Sequence, residues 1–186
     1  MVNFELLQEP NLRRKSLKSG LLTIILVAIL IVSIRIVGDP LLARVSGYPK
    51  VVDGDSLVLD GQRIRLSGLD APEYRQTCRT GEQDVECGQM AKRALERIIG
   101  GREIECRIDG DDRYRRILAR CSVDDTDIGR KLVASGWAIA TDAYDLAQVD
   151  ARKTKSGIWS MDFIDPAEWR EQNGRAADES GFWSWF

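Results

Sequence analysis

Hydrophobic and polar positions divide the chain into one long apolar run and a series of short alternating stretches. Residues 21–34 carry no charge and are mostly Leu, Ile and Val; Arg35 interrupts, and Ile36 and Val37 extend the run. Further on, residues 56–59 and 63–66 alternate as strands do, and Asp60, Gly61 and Gln62 between them predict a hairpin connection. In the second strand Ile64 and Leu66 share one face while Arg63 and Arg65 share the other, so Arg65 is directed away from the core. Pro72 stops regular pairing and pushes Ala71 towards an extended or turn conformation, which places Glu73 just past a stiff corner.

Residues 74–86 read as a polar loop. Residues 87–99 predict a helix, with Met90, Ala91, Ala94, Leu95, Ile98 and Ile99 on one stripe and Gly100-Gly101 ending it. Residues 103–108 and 116–121 read as two strands joined across 109–115. With Cys106 opposite Cys121, Ile108 falls opposite Ala119 and the apolar residues of both strands share one face. A second helix is expected over 126–135, burying Ile128, Leu132 and Val133, and a third over 145–156, closed by Gly157. Residues 161–170 read as an extended piece that packs Phe163 and Trp169 on the domain; residues 173–186 end in an aromatic tail. The order of elements predicts an α+β fold, a five-stranded barrel with about three packed helices.

The apolar run follows Arg13, Arg14, Lys15 and Lys18. Counted to Val37 it is slightly short of the roughly 20 residues of a spanning helix, with Arg35 able to snorkel to the far headgroups. An uncleaved signal anchor is the favoured reading; a cleaved signal peptide, which would release the protein, is the competing one. The basic cluster predicts a cytoplasmic N-terminus and an extracytoplasmic domain. The expected divisions are a basic stretch 1–20, a transmembrane or anchor helix 21–37, a linker 38–46, a folded domain 47–160 and an extension 161–186.

Cysteine placement fits an oxidising compartment. Opposed residues of antiparallel strands lie about 4.5–5.5 Å apart at Cα, within disulfide range, so Cys106 and Cys121 can pair. Cys78 and Cys87 bracket a short loop and form the second expected pair. With 44% hydrophobic and 30% charged residues the composition excludes disorder throughout.

The chemistry is concentrated in Asp53-Gly54-Asp55-Ser56 and in the stretch from Arg65 through Asp70 to Pro72-Glu73. Together with Asp112-Arg113-Tyr114-Arg115-Arg116, Gly136-Trp137-Ala138 and Gly157-Ile158-Trp159, these blocks resemble the staphylococcal nuclease family in the family's order, over residues 47 to 160. The resemblance implies an OB-fold, whose groove suits oligonucleotides, and hydrolysis of a phosphodiester by an in-line water. Asp55 and Asp70, with the carbonyl of Ala71, are the implied ligands of a hard cation, Ca2+, which favours oxygen donors. Glu73 is the implied general base or water orienter. Arg65 and Arg116 would clamp the phosphate with fixed paired donors, and Arg113, Tyr114 and Tyr144 would lie along the nucleotide. The family usually has glycine where this chain has Arg115, and Asp142 stands about where a stacking aromatic is expected.

Charge adds a constraint. Removing the five basic and two acidic residues up to Val37 from the 27 and 29 of the whole chain leaves 22 against 27, a net of −5 for the remainder. Long-range attraction of nucleic acid is then absent, and binding falls to the local arginines. Two functions survive: a monomeric, membrane-tethered, calcium-dependent nuclease acting on DNA and RNA, and a catalytically weak OB-type module that binds nucleic acid or a protein partner.

Overall fold

The computed structural model describes residues 12–37, 44–112 and 114–179; the first eleven residues, the linker residues 38–43, Arg113 and residues 180–186 with the aromatic tail lie outside the described residues. Contacts divide the chain into two units, Met1–Asp39 and Pro40–Phe186. In the first, helix α1 runs Leu12–Val37, and Leu22, Ile24, Ile25, Leu26, Ile29, Leu30 and Ile31 on it are exposed. Among the described residues no helix is long and apolar enough to cross a membrane.

The second unit is built on a curled sheet. Its strands are β1 (Arg44–Gly47), β2 (Lys50–Val51), β3 (Ser56–Leu59), β4 (Gln62–Leu66), β8 (Ile104–Asp111) and β9 (Ile117–Val123), in the spatial order β1-β8-β9-β4-β3-β2. The two ends of that order, β1 and β2, are neighbours in the chain, separated only by Tyr48 and Pro49. One interrupted strand thus lies along both edges, and the sheet curls as the five-stranded OB architecture requires. All pairings are antiparallel except β4 with β9, which run parallel in the register Ile64↔Ile117 and Leu66↔Ala119.

The local chemistry explains the elements. Asp60 (φ 49°) and Gly61 (φ 78°) form a two-residue connection with both central residues left-handed, the turn that suits a tight hairpin. Cys106 stands opposite Cys121 and Ile108 opposite Ala119, as the apolar pattern predicts; a bulge before Gly110 then shifts the register. Helix α2 (Cys87–Ile99) ends at Gly100, which adopts φ 62° and donates its N–H to Glu96. Its apolar stripe packs with Leu57, Leu59, Ile64, Leu66, Ile104 and Leu132 in the main core.

Several elements depart from the sequence reading. The stretch expected as a polar loop contains a small hairpin, β6 (Cys78–Thr80) with β7 (Gln83–Val85). Thr126 and Asp127 form a short strand, β10, against β9, so α3 begins at Ile128 and ends at Ala134, capped by the Asp127 carboxylate. Two short strands, β5 (Leu69–Asp70) and β11 (Ile139–Ala140), pair beside the main sheet, and α4 spans Asp145–Lys153. The expectation of an extended piece over 161–170 is corrected: Pro166–Glu179 is a helix, α5. Asp165 accepts the Ala167 N–H at 2.8 Å and Pro166 occupies the first turn, where its missing N–H costs nothing. Phe163 does pack as expected, at 5.2 Å between ring centroids against Trp159.

Both disulfides form, Cys78–Cys87 and Cys106–Cys121. The first joins β6 to the start of α2, and the second crosses β8 and β9. Among the described residues no cysteine is free.

Candidate active site

Three short segments converge at one end of β4. The turn 53–56 is fixed by the N–H groups of Val52 and Asp53, which both donate to the Ser56 carbonyl, and by Leu66, whose N–H donates to the Asp55 carbonyl at 2.9 Å. Gly54 is needed there because a Cβ would stand 2.8 Å from that of Ala71 and 3.0 Å from that of Ala91. Asp70 is held by pairing with Ile139 across β5 and β11. The corner carrying Glu73 is closed by Gln76, whose N–H donates to the Glu73 carbonyl at 2.7 Å.

Gln76 is fully buried, and its amide links two distant parts of the chain. Oε1 accepts the Glu73 N–H at 3.1 Å, and Nε2 donates to the Ile164 carbonyl at 2.7 Å. A Cβ on Gly88 would lie 1.8 Å from the Glu73 carbonyl oxygen, so the first turn of α2 sits directly on this corner. The position of Glu73 is therefore set from two sides.

Arg65 is the hub. One terminal nitrogen, Nη1, donates to Asp55 Oδ2 at 2.8 Å and the other, Nη2, to Asp70 Oδ1 at 2.5 Å. Burial opposes its charge, but the two carboxylates hold the proton on more firmly than usual. Asp55 also accepts the Ser56 hydroxyl at 2.7 Å. Burial pushes the Asp55 carboxyl up, Arg65 pulls it back, and Asp70 and Glu73 add to the rise. Asp53 is pushed up to about 7, chiefly by burial and then by Asp55 and Glu73, against N–H bonds from Gly54 and Tyr74. Burial is the largest cause of both upward shifts, and repulsion among the gathered acids adds to it.

A second guanidinium, from α5, completes the cluster. Arg170 Nη2 donates to Asp70 Oδ2 at 2.7 Å, while Nη1 donates to Asp70 Oδ1 at 3.0 Å and to Glu73 Oε1 at 2.8 Å. Bonding to Asp70 and Glu73 raises its already high pKa. Sequence reasoning missed both Arg170 and Gln76. The helix start at Asp165-Pro166 was a legible signal for the first; nothing local marks the second.

Asp55, Arg65, Asp70 and Glu73 are thus brought together. Ala71 is buried beside them. Arg116 stands immediately before β9, and its guanidinium is engaged by Asp112 and not by the acids around Arg65. Its Nε donates to Asp112 Oδ2 at 2.7 Å, and its N–H to Asp112 Oδ1 at 2.9 Å. Despite some desolvation, the Arg116 and Tyr114 N–H groups and the Arg116 guanidinium hold the Asp112 carboxyl below its ordinary range. The exposed Tyr114 ring lies 5.6 Å from the Arg116 guanidinium. Tyr144 is not with the acids: its hydroxyl donates to Asp127 Oδ2 at 3.2 Å, and burial with that neighbour pushes it up to about 12. Arg115 has φ 61°, the left-handed conformation for which glycine is the usual choice.

The acidic cluster offers oxygen donors only, the set a hard divalent cation prefers. Asp55, Asp70 and Glu73 pair with Arg65 and Arg170, and Asp53 stands beside Asp55 and Glu73; four ionised carboxylates against two guanidiniums would leave two negative charges, which one divalent cation would balance. As arranged, no three acids among the described residues converge closely enough to grip a metal. The arginines hold oxygens that a cation would use.

Comparison with known proteins fits this constellation. Residues 63–161 match the family described as staphylococcal nuclease homologue. A succinoglycan biosynthesis protein of Rhizobium meliloti is 35% identical over 121 residues, 61% of this chain and 63% of that protein. An endonuclease of Haemophilus influenzae, itself uncharacterised, is 29% identical over 135 residues, 66% of this chain and 71% of its own. A probable staphylococcal-like nuclease of Oryza sativa is 29% identical over 142 residues, 70% of this chain but only 40% of that longer protein. The matched segment thus covers less than two thirds of the first and third of these relatives.

Proposed function

The chain belongs to the staphylococcal nuclease family, and from that premise we propose that it is a calcium-dependent nuclease that hydrolyses DNA and RNA with little sequence preference, anchored to a membrane with its domain on the extracytoplasmic side. The observation that carries the reading is Arg65 shared between buried Asp55 and Asp70, with Glu73 on the adjoining turn. A structural ion pair needs one acid. This site gathers four.

Asp55 and Asp70, with the Ala71 carbonyl, are the residues that would hold the cation, and Ca2+ suits their oxygen donors. When bound, the ion supplies electrostatic polarisation of a phosphoryl oxygen. Arg65 has a planar fork that matches phosphate as well as carboxylate and offers its donors to the charge that builds on the phosphoryl group. Glu73, held at the corner by Gln76, orients the attacking water and takes its proton. Arg116, fixed through Nε by Asp112 just before β9, would supply its charge to the leaving side of the phosphate. A positioned donor of this type contributes about 10²–10³ in rate.

Placement outside the cytoplasm is supported by the two disulfides, which persist in oxidising compartments. The anchor is supported by the basic stretch before residues 21–37 and by apolar side chains exposed around α1. A binding module without turnover is the second reading, favoured by the acidic balance of the domain and by Arg170 lying across Asp70 and Glu73. Incubating the purified full chain in mild detergent with single-stranded DNA and RNA separates the two: the proposed enzyme degrades them with calcium and stops with chelator, whereas intact nucleic acid under both conditions favours the module.

A further inference from the structure

The C-terminal segment is fastened around the acidic corner at successive points. Arg79 and Asp162 exchange two backbone hydrogen bonds at 2.8 and 2.9 Å. Two residues later the Ile164 carbonyl accepts from buried Gln76, the residue that also holds the Glu73 N–H. Asp165 then starts α5, accepting the Trp169 N–H on its carbonyl at 2.8 Å. These anchors deliver Arg170, which ends as a fork on Asp70 with a third bond to Glu73.

Counting the bond from Arg65, Asp70 accepts three charged donors, against the roughly four lone-pair sites a carboxylate offers. Arg170 bonds Asp70 and Glu73 and not Asp55, so one implied ligand stays outside its grip. Asp70 and Glu73 are within it. The Arg170 side chain is 39% exposed whereas that of Asp70 is 6% exposed, so the guanidinium approaches from the solvent side and can retreat there.

Resting on the proposal that these acids hold a divalent cation, we infer that Arg170 is a positioning residue that sets the cation affinity of the site. Its guanidinium occupies Asp70 and Glu73 in the cation-free protein and yields them when the ion binds. Two effects oppose simultaneous occupancy: the lone pairs of Asp70 are nearly used up, and two like charges would share one carboxylate. Without an ion, the same fork keeps Asp70 and Glu73 from repelling each other. The C-terminal helix thereby makes the site responsive to cation concentration.

The test is calcium titration of the full chain by isothermal calorimetry, comparing wild type with Arg170→Met and Arg170→Lys. Arg170→Met is expected to bind calcium at least tenfold more tightly, with Arg170→Lys between the two because a lysine keeps the charge but not the fork. Thermal melting in chelator checks that both variants fold and is expected to show Arg170→Met less stable than wild type. A second measurement needs no variant: saturating calcium should speed amide exchange in residues 166–179 of wild type as the helix loses its hold. Equal or weaker calcium affinity in Arg170→Met, or unchanged exchange in α5, overturns this inference alone. Absence of calcium binding to all three proteins overturns it together with the calcium site proposed above.

Discussion

Arg65 divides its guanidinium between Asp55 and Asp70, 2.8 Å from one and 2.5 Å from the other. A lysine at this position would keep the charge as a single point and could not span both acids. Arg65→Lys is expected to fold and to cleave nucleic acid about 10²–10³-fold more slowly, the usual cost of one preorganised donor. Arg65→Ala should in addition lose about 3–5 kcal/mol of stability, because it leaves the buried Asp55 carboxylate without its charged partner, while Asp70 keeps Arg170. Urea unfolding together with a rate assay measures both.

Gln76 predicts a stability effect away from the chemistry. Replacing it with leucine leaves the Glu73 N–H and the Ile164 carbonyl without their partners. Gln76→Leu should cost about 2–4 kcal/mol in urea unfolding, since each orphaned buried polar group costs roughly 1–3 kcal/mol. Cleavage should fall as well, because Glu73 loses its support.

Asp53 makes stability depend on pH. Its carboxyl is raised from 3.8 to about 7 in the folded protein. Between those values the folded state keeps a proton that the unfolded chain has lost, so stability is full at about pH 4 and falls as pH rises towards 7. The slope for one such group is about 1.4 kcal/mol per pH unit, which over this window gives an upper figure of about 4 kcal/mol. In chelator, Asp53→Asn should therefore gain on wild type as pH rises, and pH-dependent melting will show whether the difference widens.

Arg115 at φ 61° carries a conformational cost that glycine would relieve. A left-handed non-glycine residue costs about 1–2 kcal/mol, partly offset by the extra freedom glycine has when unfolded. Arg115→Gly is expected to be neutral or up to about 1 kcal/mol more stable in urea unfolding, with the Asp112–Arg116 pair kept.

Much of the barrel was legible because its signals are local. Alternation marked β3 and β4, the stripe from Met90 to Ile99 marked α2, and the opposition of Cys106 to Cys121 fixed the register of β8 and β9. The blocks carrying Asp55, Arg65, Asp70 and Glu73 were legible for the same reason: all four lie between positions 55 and 73, at the β3–β4 hairpin and the turn and corner that follow it. What escaped was set by long-range contacts. Helix α5 carries a helix-start signal, but its amphipathic pattern is weak, and the partners of Arg170 lie about a hundred positions earlier in the sequence. Gln76 in a polar stretch looks like any exposed loop residue until Ile164 covers it. Tyr144 looked available to substrate, yet its ring packs against the main core and its hydroxyl is engaged by Asp127.

The central claim is that this corner is a site of phosphodiester hydrolysis with Glu73 as its water-orienting acid. Single-turnover cleavage of a labelled single-stranded oligonucleotide by the full chain in calcium, comparing wild type with Glu73→Gln, tests it most directly. The account predicts cleavage by wild type that chelator abolishes, and a loss of about 10²-fold or more in Glu73→Gln, within the 10²–10⁴ range of general-base catalysis. Equal rates in the two proteins, or cleavage indifferent to chelator, would contradict it.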